Sequence, residues 1–458
     1  MSDPVDTITL KLGDLVTQPP AATTAPASNG TPEKIATPEE DESNLIQSTH
    51  VVQVKLADQQ ADPNSPLYSV KSFEQLGLSP ELLKGLYAMK FSKPSKIQER
   101  ALPLLIGNPP RNMIGQSQSG TGKTAAFVLT MLTRINLGVN VPQAICLAPS
   151  RELARQIMDV VEAMSKYTNI TTKLVVKDSL KRNEHVQSQV IVGTPGSVAD
   201  VIRRRLLPVQ AVKIFVLDEA DNMLDQDGLG DQSIRIKNNL KSNPQIVLFS
   251  ATFPEHVREF AAKFAPNANE ISLKREDLSV DAIKQLYMDC DNEEHKYETL
   301  CNIYDLLTVS QSIIFCKRRE SADEIARRMK AQGHSVISLH GKMTPEERDK
   351  VMDDFRRGEF KVLITTNVLA RGIDISQVSL VINYDLPIDQ RGQVDFEAYL
   401  HRIGRTGRFG RTGVSIILID SKRAWEQMRE IEDHFGREIV NVPTADWEEV
   451  EKQLKELI

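Results

Sequence analysis

NMIGQSQSGTGKTAAF, residues 112–127, is the stretch on which the fold turns. NMIG reads as a short buried strand, TAAFVLTMLTRI as a helix, and SQSGTGKT (117–124) as the loop between them. Glycines 120 and 122 let backbone N–H groups close around an anion, and the helix N-terminus adds its partial positive charge. In such a loop Ser117, Gln118, Ser119, Gly120, Thr121 and Gly122 line a chain of phosphates. Lys123 reaches the β- and γ-phosphates, and the Thr124 hydroxyl holds Mg²⁺. The usual pattern opens on glycine where this chain has Ser117, so a glycine-rich turn with an incidental lysine remains the alternative.

Outward from this loop the same alternation repeats. AICLA (144–148), KLVV (173–176), VIV (190–192), KIFVLD (213–218) and IVLFS (246–250) read as buried strands separated by helical stretches. After the polar stretch 272–282 the alternation restarts with SIIFC (312–316), VISLH (336–340), KVLITT (361–366), LVINYD (380–385) and VSIILID (414–420). Helices are expected at 320–332, 344–357 and 421–435, and ADWEEVEKQLKELI reads as a last amphipathic helix. The fold class is α/β, with two parallel-sheet domains, 71–271 and 283–458, joined by a linker at 272–282. Residues 1–44, rich in Pro, Ala, Thr, Ser and acids, are expected to be disordered. Residues 45–70 form a flanking segment, a short helix or strand, that either packs on the body or lies between the domains in a regulatory role.

Composition narrows the function. Net charge is −6, so a nucleic-acid partner has to be met by a local patch and not by bulk charge. The four cysteines, 146, 290, 301 and 316, form no CxxC pair, which argues for small buried hydrophobes in a reducing compartment over zinc or disulfides. The N-terminus shows no secretory pattern, and no run of eighteen apolar residues suggests membrane insertion.

Two further stretches complete the chemistry. KIFVLDEAD puts Asp218 and Glu219 at the C-terminal end of a strand, the edge where open parallel sheets hold ligands. Asp218 can orient Mg²⁺ largely through water, and Glu219 can take a proton from an attacking water. An acidic turn ending a strand is the plain alternative. HRIGRTGRFGR (401–411) sets Arg402, Arg405, Arg408 and Arg411 three apart among glycines with no acid between them. Like charges at this spacing suggest a nucleotide-dependent latch, in which Arg405 and Arg408 neutralise a γ-phosphoryl group held by the other domain. A solvated basic loop, or one touching RNA phosphate, is the alternative.

Taken in order, FSKPSKIQ, SQSGTGKT, PSRELA, TPGS, DEAD, SAT, ARGID and HRIGRTGR resemble the motif series of the DEAD-box RNA helicases from about residue 71 to 440. DPNSPLYSVKSFEQLGLSPELLKGLYAMKF and VLITTNVLARGID resemble the family's mRNA-export branch, in a fungal version. The resemblance implies two RecA-like domains and an RNA-dependent ATPase. It implies that Phe91 stacks on adenine, that Gln98 reads its edge, and that Gly372 and Asp374 sense γ-phosphate and ribose. Ser250 and Thr252 would bond Asp221 and couple the phosphate site to RNA, with His401 in the same network. Arg151, Thr194 and Gly196 in one domain, and His340, Gly341 and Thr366 in the other, would contact RNA phosphate and sugar. Such contacts carry little base information. The implied partners are single-stranded RNA in mRNA–protein particles, a nuclear-pore cytoplasmic filament protein and an activator using inositol hexakisphosphate, around a monomeric core. The implied location is cytoplasm and nucleus, enriched at the pore, with a further role in translation termination. Asn367 stands where the family usually has Asp, and Ser150 where Thr is common; the double-glycine motif is not evident, with VVKDSL at 175–180 in its place. An RNA clamp that barely hydrolyses ATP and a DNA-directed motor are the competing readings.

Overall fold

The computed structural model describes residues 52–57, 69–116, 121–225, 228–273, 283–306, 310–367, 378–389, 391–407, 413–445 and 447–455. The expected N-terminal extension, most of the flanking segment, and linker residues 274–282 lie outside the described residues.

The first lobe carries strands β1 (Val52–Lys55), β2 (Met113–Gln116), β3 (Ala144–Leu147), β4 (Thr172–Val175), β5 (Val190–Gly193), β6 (Ile214–Leu217), β7 (Gln245–Ser250) and β8 (Asn269–Leu273). They lie in the order β1-β8-β2-β7-β6-β3-β5-β4, parallel throughout except where β1 meets β8. Helices α1 (Pro80–Ala88), α2 (Lys96–Ile106), α3 (Lys123–Thr133) and α4 (Arg151–Ser165) supply side chains to one core. Helices α5 (Pro195–Arg203), α6 (Ala220–Asp225), α7 (Leu229–Asn239) and α8 (Glu255–Phe264) supply the core on the other face.

The two-residue period of a strand explains how one run serves both cores. In β3, Ala144 and Cys146 join the first cluster, and Ile145 and Leu147 join the second. All four are fully buried, so the strand reads as a continuous apolar run, as parallel sheets covered on both faces do. Truncating Ile145 to Ala would cost about 2–5 kcal/mol through lost transfer energy and a cavity.

The second lobe has β9 (Ile283–Asp289), β10 (Gln311–Phe315), β11 (Val336–Leu339), β12 (Val362–Thr365), β13 (Val378–Asn383), β14 (Gly413–Ile419) and β15 (Val440–Asn441). Their order is β11-β12-β10-β13-β14-β9-β15, all parallel. Helices α9 (Glu293–Leu306), α10 (Arg319–Ala331), α11 (Pro345–Arg356), α12 (Phe396–Ile403), α13 (Lys422–Phe435) and α14 (Trp447–Lys455) cover its faces. Each strand quoted from the sequence is present within a residue or two, and the two-lobed α/β class holds. All four cysteines are buried and unpaired by disulfides. Among the described residues no helix is long and apolar enough to cross a membrane.

The segment expected at 45–70 as helix or strand contributes β1, an antiparallel edge strand on β8. Leu56 is buried in the first core, Lys55 pairs with Glu270 at 3.2 Å, and the Ala57 N–H donates to Asn269 Oδ1 at 2.9 Å. Strand β8 itself runs to Leu273, two residues into the expected linker.

Candidate functional site

Strands β2 and β6 lie in one sheet with only β7 between them, and their C-terminal ends share one edge of it. Ser117, Gln118, Ser119 and Gly120 lie outside the described residues, which resume at Thr121. Gly122 caps α3 with φ +95°, a left-handed backbone that glycine adopts without strain. A Cβ there would also stand 2.6 Å from Gln98 Nε2.

That contact has a cause. Gln98 is buried in the first turn of α2, where its Oε1 accepts the Ser95 N–H at 2.9 Å in a capping box. Its Nε2 donates to the Gly122 carbonyl at 2.9 Å, and Ser95 Oγ donates to the Thr121 carbonyl at 2.8 Å. The start of α2 is therefore tied to the last residues of the phosphate loop. Phe91 is partly buried against the first core.

Lys123 opens α3 with 5% exposure, and its Nζ lies 3.8 Å from Asp218 Oδ1. Burial pushes the Asp218 carboxyl up to about 6, with Lys123 opposing and Glu219 and Asp221 reinforcing the shift. Asp218 Oδ1 also accepts the Glu219 N–H at 3.0 Å. Glu219 holds φ +53°, rare for a side chain with a Cβ, and its buried Oε2 has no hydrogen-bond partner among the described residues. A strained, buried, under-partnered carboxylate next in the chain to Asp218 is an arrangement kept for chemistry and not for stability.

Asp221 organises the next layer. Its N–H donates to Ser250 Oγ at 3.1 Å, and its Oδ1 accepts the Asn222 N–H at 2.9 Å. Oδ2 accepts both the N–H and the hydroxyl of Thr252, each at 2.9 Å. His401 Nε2 of the second lobe stands 3.5 Å from the same Oδ2. Burial works against ionisation, yet the proximity of His401 and the Thr252 donors hold this carboxyl well below the usual range.

His401 comes from α12, capped where Asp395 Oδ1 accepts the Ala398 N–H at 2.8 Å. Arg405, 3% exposed, donates from Nε to the His401 carbonyl at 2.9 Å. Arg408, Gly372 and Asp374 lie outside the described residues. By spacing alone Arg402 is one of four mutually repelling cations. The structure separates it: Arg402 is buried 1% exposed, with its N–H groups on Asn367, Asn383 and the Asp385 carbonyl. Burial on these neutral acceptors ties Arg402 to the second sheet and keeps it from acting as one of a row of like charges.

The residues expected to meet RNA fall on both lobes. Thr194 precedes α5, its Oγ1 3.2 Å from Ser197 Oγ, and Gly196 sits in the helix's first turn. Gly196 borders a cleft of about 760 Å³ whose lining includes Arg203, Arg205, Gln232 and Arg235. His340 Nε2 is 3.0 Å from Asp323 Oδ1, with Gly341 next in the chain and Thr366 just past β12. Arg151 instead reaches across: Nη2 is 2.8 Å from Asp349 Oδ2 of α11.

That pair belongs to a cross-lobe ladder that the sequence did not disclose. Arg155 meets Asp349 at 2.8 Å and Asp353 at 3.2 Å, Arg348 meets Glu152 at 2.7 Å, and Arg356 meets Asp159 at 3.8 Å. The charged faces of RELARQIMDVVEA and PEERDKVMDDFRR were visible, but nothing local pairs residues 198 apart.

Residues 95–260 match the DEAD/DEAH box helicase family, and residues 295–410 match the helicase conserved C-terminal domain. The ATP-dependent RNA helicase dbp5 of Schizosaccharomyces pombe is 64% identical over 417 residues, covering 91% of this chain and 83% of that protein. Among solved structures, S. cerevisiae Dbp5 bound to RNA and ADP BeF3 is 59% identical, spans 85% of this chain and all of that one, and has a TM-score of 0.81. A variant of that protein bound to Nup159, Gle1, IP6 and ADP is 57% identical over 83% of this chain and 99% of that one, with a TM-score of 0.63. With both lobes, the ordered motifs and relatives of this closeness in agreement, the chain belongs to the DEAD-box ATP-dependent RNA helicases and is an RNA-dependent ATPase.

Proposed function

We propose that this enzyme remodels mRNA–protein particles during export from the nucleus, at the cytoplasmic face of the nuclear pore. The observation that carries this reading is the likeness to S. cerevisiae Dbp5, a variant of which is bound to Nup159, Gle1 and IP6. A pore-filament protein and an activator using inositol hexakisphosphate are accordingly its partners, beside single-stranded RNA. The working location is cytoplasm and nucleus, concentrated at the pore, and a part in translation termination belongs to the same proposal. The catalytic core acts as a monomer, with the RecA-like lobes at 71–271 and 283–458, the linker at 272–282, a disordered extension at 1–44 and a flanking segment at 45–70.

In this reading the first lobe binds ATP. Phe91 stacks on the base, while Gln98 fixes both the adenine edge and Gly122 at the end of the phosphate loop. Thr124, and Asp218 largely through water, would hold Mg²⁺, which would supply charge neutralisation at the phosphates. The buried, under-partnered Glu219 and the raised carboxyl of Asp218 suit a cation there. Glu219 takes the proton of the attacking water, and Lys123 offsets phosphate charge. Arg405 and Arg408, with Gly372 and Asp374, complete the site from the second lobe. Asp221, Ser250, Thr252 and His401 couple that closure to RNA held by Arg151, Thr194, Gly196, His340, Gly341 and Thr366. Hydrolysis releases the bridge and then the strand, which makes the action local remodelling and not long-range translocation.

Phosphate release at saturating Mg·ATP, with and without oligouridine and with the inositol-phosphate-loaded activator, tests the reading. Stimulation by each is expected. Activation by RNA alone, with no binding of either pore partner, would remove the export role.

A further inference from the structure

Arg402 is 1% exposed, and a guanidinium so buried must find acceptors for its N–H groups. Among the described residues every acceptor is neutral. Nε donates to Asn367 Oδ1 at 2.9 Å, Nη2 donates to the same oxygen, and Nη1 donates to Asn383 Oδ1 at 3.0 Å and to the Asp385 carbonyl. The Phe315 ring centroid lies 5.0 Å from the guanidinium carbon. The Asp385 carboxylate is committed elsewhere: Oδ2 accepts the Lys317 N–H at 2.7 Å, and Oδ1 faces Lys296 Nζ at 3.5 Å.

These anchors mark the C-terminal ends of three adjacent strands. Asn367 follows β12, Phe315 ends β10, and Asn383 ends β13, with Asp385 just beyond. Arg402 sits in the last turn of α12 and so pins that helix to the middle of the second sheet. Its chain neighbour His401 stands 3.5 Å from Asp221 of the first lobe, and Arg405, three residues on, is hydrogen-bonded to the His401 carbonyl. A rotation of α12 would displace both together.

We propose that Arg402 and Asn367 form a positioning pair for ATP hydrolysis, fixing the rotation of α12 so that His401 and Arg405 arrive together at the first lobe. The inference rests on the reading of Arg405 as a phosphate-facing group. Holding reacting groups in register is worth large factors, and a misplacement of about 1 Å costs about 10²-fold. Asn367 itself is exposed, so its amide oxygen supplies direction to the buried guanidinium without adding a charge beside it. A carboxylate there keeps the acceptor, and an aliphatic side chain removes it while leaving the guanidinium buried.

The test uses the full chain. RNA-stimulated phosphate release with ATP titrated, binding of a fluorescent ADP, and thermal unfolding are measured for wild type, Asn367→Leu, Asn367→Asp, Arg402→Lys and Arg405→Ala. At a temperature where each variant is fully folded, Asn367→Leu and Arg402→Lys are expected to lose about 10²-fold in kcat. ADP affinity should stay within about threefold, and Asn367→Asp should keep kcat within about threefold of wild type. If Asn367→Leu does not fold, Asn367→Ser carries the same expectation. Wild-type kcat in Asn367→Leu and Arg402→Lys, with turnover lost in Arg405→Ala, overturns the pair and leaves Arg405's role standing. Asn367→Asp falling as far as Asn367→Leu also overturns it. Wild-type turnover in Arg405→Ala removes the reading on which the pair rests.

Discussion

Arg348 of α11 lies 2.7 Å from Glu152 of α4, so a base of one lobe meets an acid of the other that is only 3% exposed. Glu152 Oε2 has no hydrogen-bond partner among the described residues. Removing Arg348 would therefore strand a buried carboxylate, a loss of about 3–5 kcal/mol by analogy with broken buried pairs. Arg348→Ala should shift the lobes apart and depress RNA-stimulated turnover, while the double variant Glu152→Gln, Arg348→Gln should recover part of the loss. Interlobe fluorescence transfer under ATP and RNA reads this directly, and equal transfer in wild type and Arg348→Ala would remove the contact's importance.

The outer rungs of the same ladder should behave differently. Arg155 and Asp353 are about a quarter and over a third exposed, so salt screens them and each contributes little alone. Reversing one, Asp353→Arg, places like charges together and should lower RNA-stimulated turnover a few-fold at low salt. Adding Arg155→Gln should recover part of it, because the like-charge pair is gone and no second acid is set against Asp349. A double variant no better than the single one would show that the charges are not paired in solution.

Asp218 carries a stability cost whose sign can be checked. Its carboxyl is raised to about 6 in the folded chain, against about 3.9 unfolded, so ionisation in the fold is disfavoured. The cost is fully present above about pH 6 and disappears as the pH falls through 6 towards 4. Asp218→Asn, neutral throughout, should stabilise the nucleotide-free protein by up to about 3 kcal/mol at pH 8 and by almost nothing near pH 4. Thermal unfolding across that range measures the difference; a gap that does not narrow on acidification would contradict the buried-charge account. The same variant should lose ATPase activity, as stabilising changes at functional sites often do.

Asp221 has the opposite sign. Its carboxyl lies well below the usual range, so its contribution is complete above about pH 4 and fades only as the pH falls towards the depressed folded value. Thr252→Val removes one of the donors that hold it there. Losing a hydrogen bond to a charged group costs about 1.5–3 kcal/mol. The expected result is weaker stimulation by RNA with ATP affinity little changed, read by titrating oligouridine in the phosphate-release assay. Undiminished stimulation would detach Thr252 from coupling.

Much of the fold could be read from the sequence because parallel strands covered on both faces must be apolar throughout. AICL and IFVL announce themselves for that reason. β9, IKQLYMD, alternates buried and exposed residues, and β8, NEISL, opens on two polar residues, so neither stood out beside the polar stretch they flank. The first-lobe site was legible because its loop and its acids are each contiguous in sequence. Arg402's anchoring on Asn367 and Asn383 was not, since in a string of arginines spacing gives no sign of which partner each one finds. The Asp349 partner of Arg151 was not legible either, because a tertiary ion pair between helices 198 residues apart leaves no local trace.

The central claim is that a nucleotide seated on the first lobe is completed by arginines from the second. It is tested most directly by solving this chain with a non-hydrolysable ATP analogue, Mg²⁺ and oligouridine. The account predicts guanidinium nitrogens of Arg405 and Arg408 within hydrogen-bond distance of the γ-phosphate or its mimic, with Glu219 facing the attacking water. Arg405 and Arg408 turned away from the phosphates, with RNA still gripped, would contradict it.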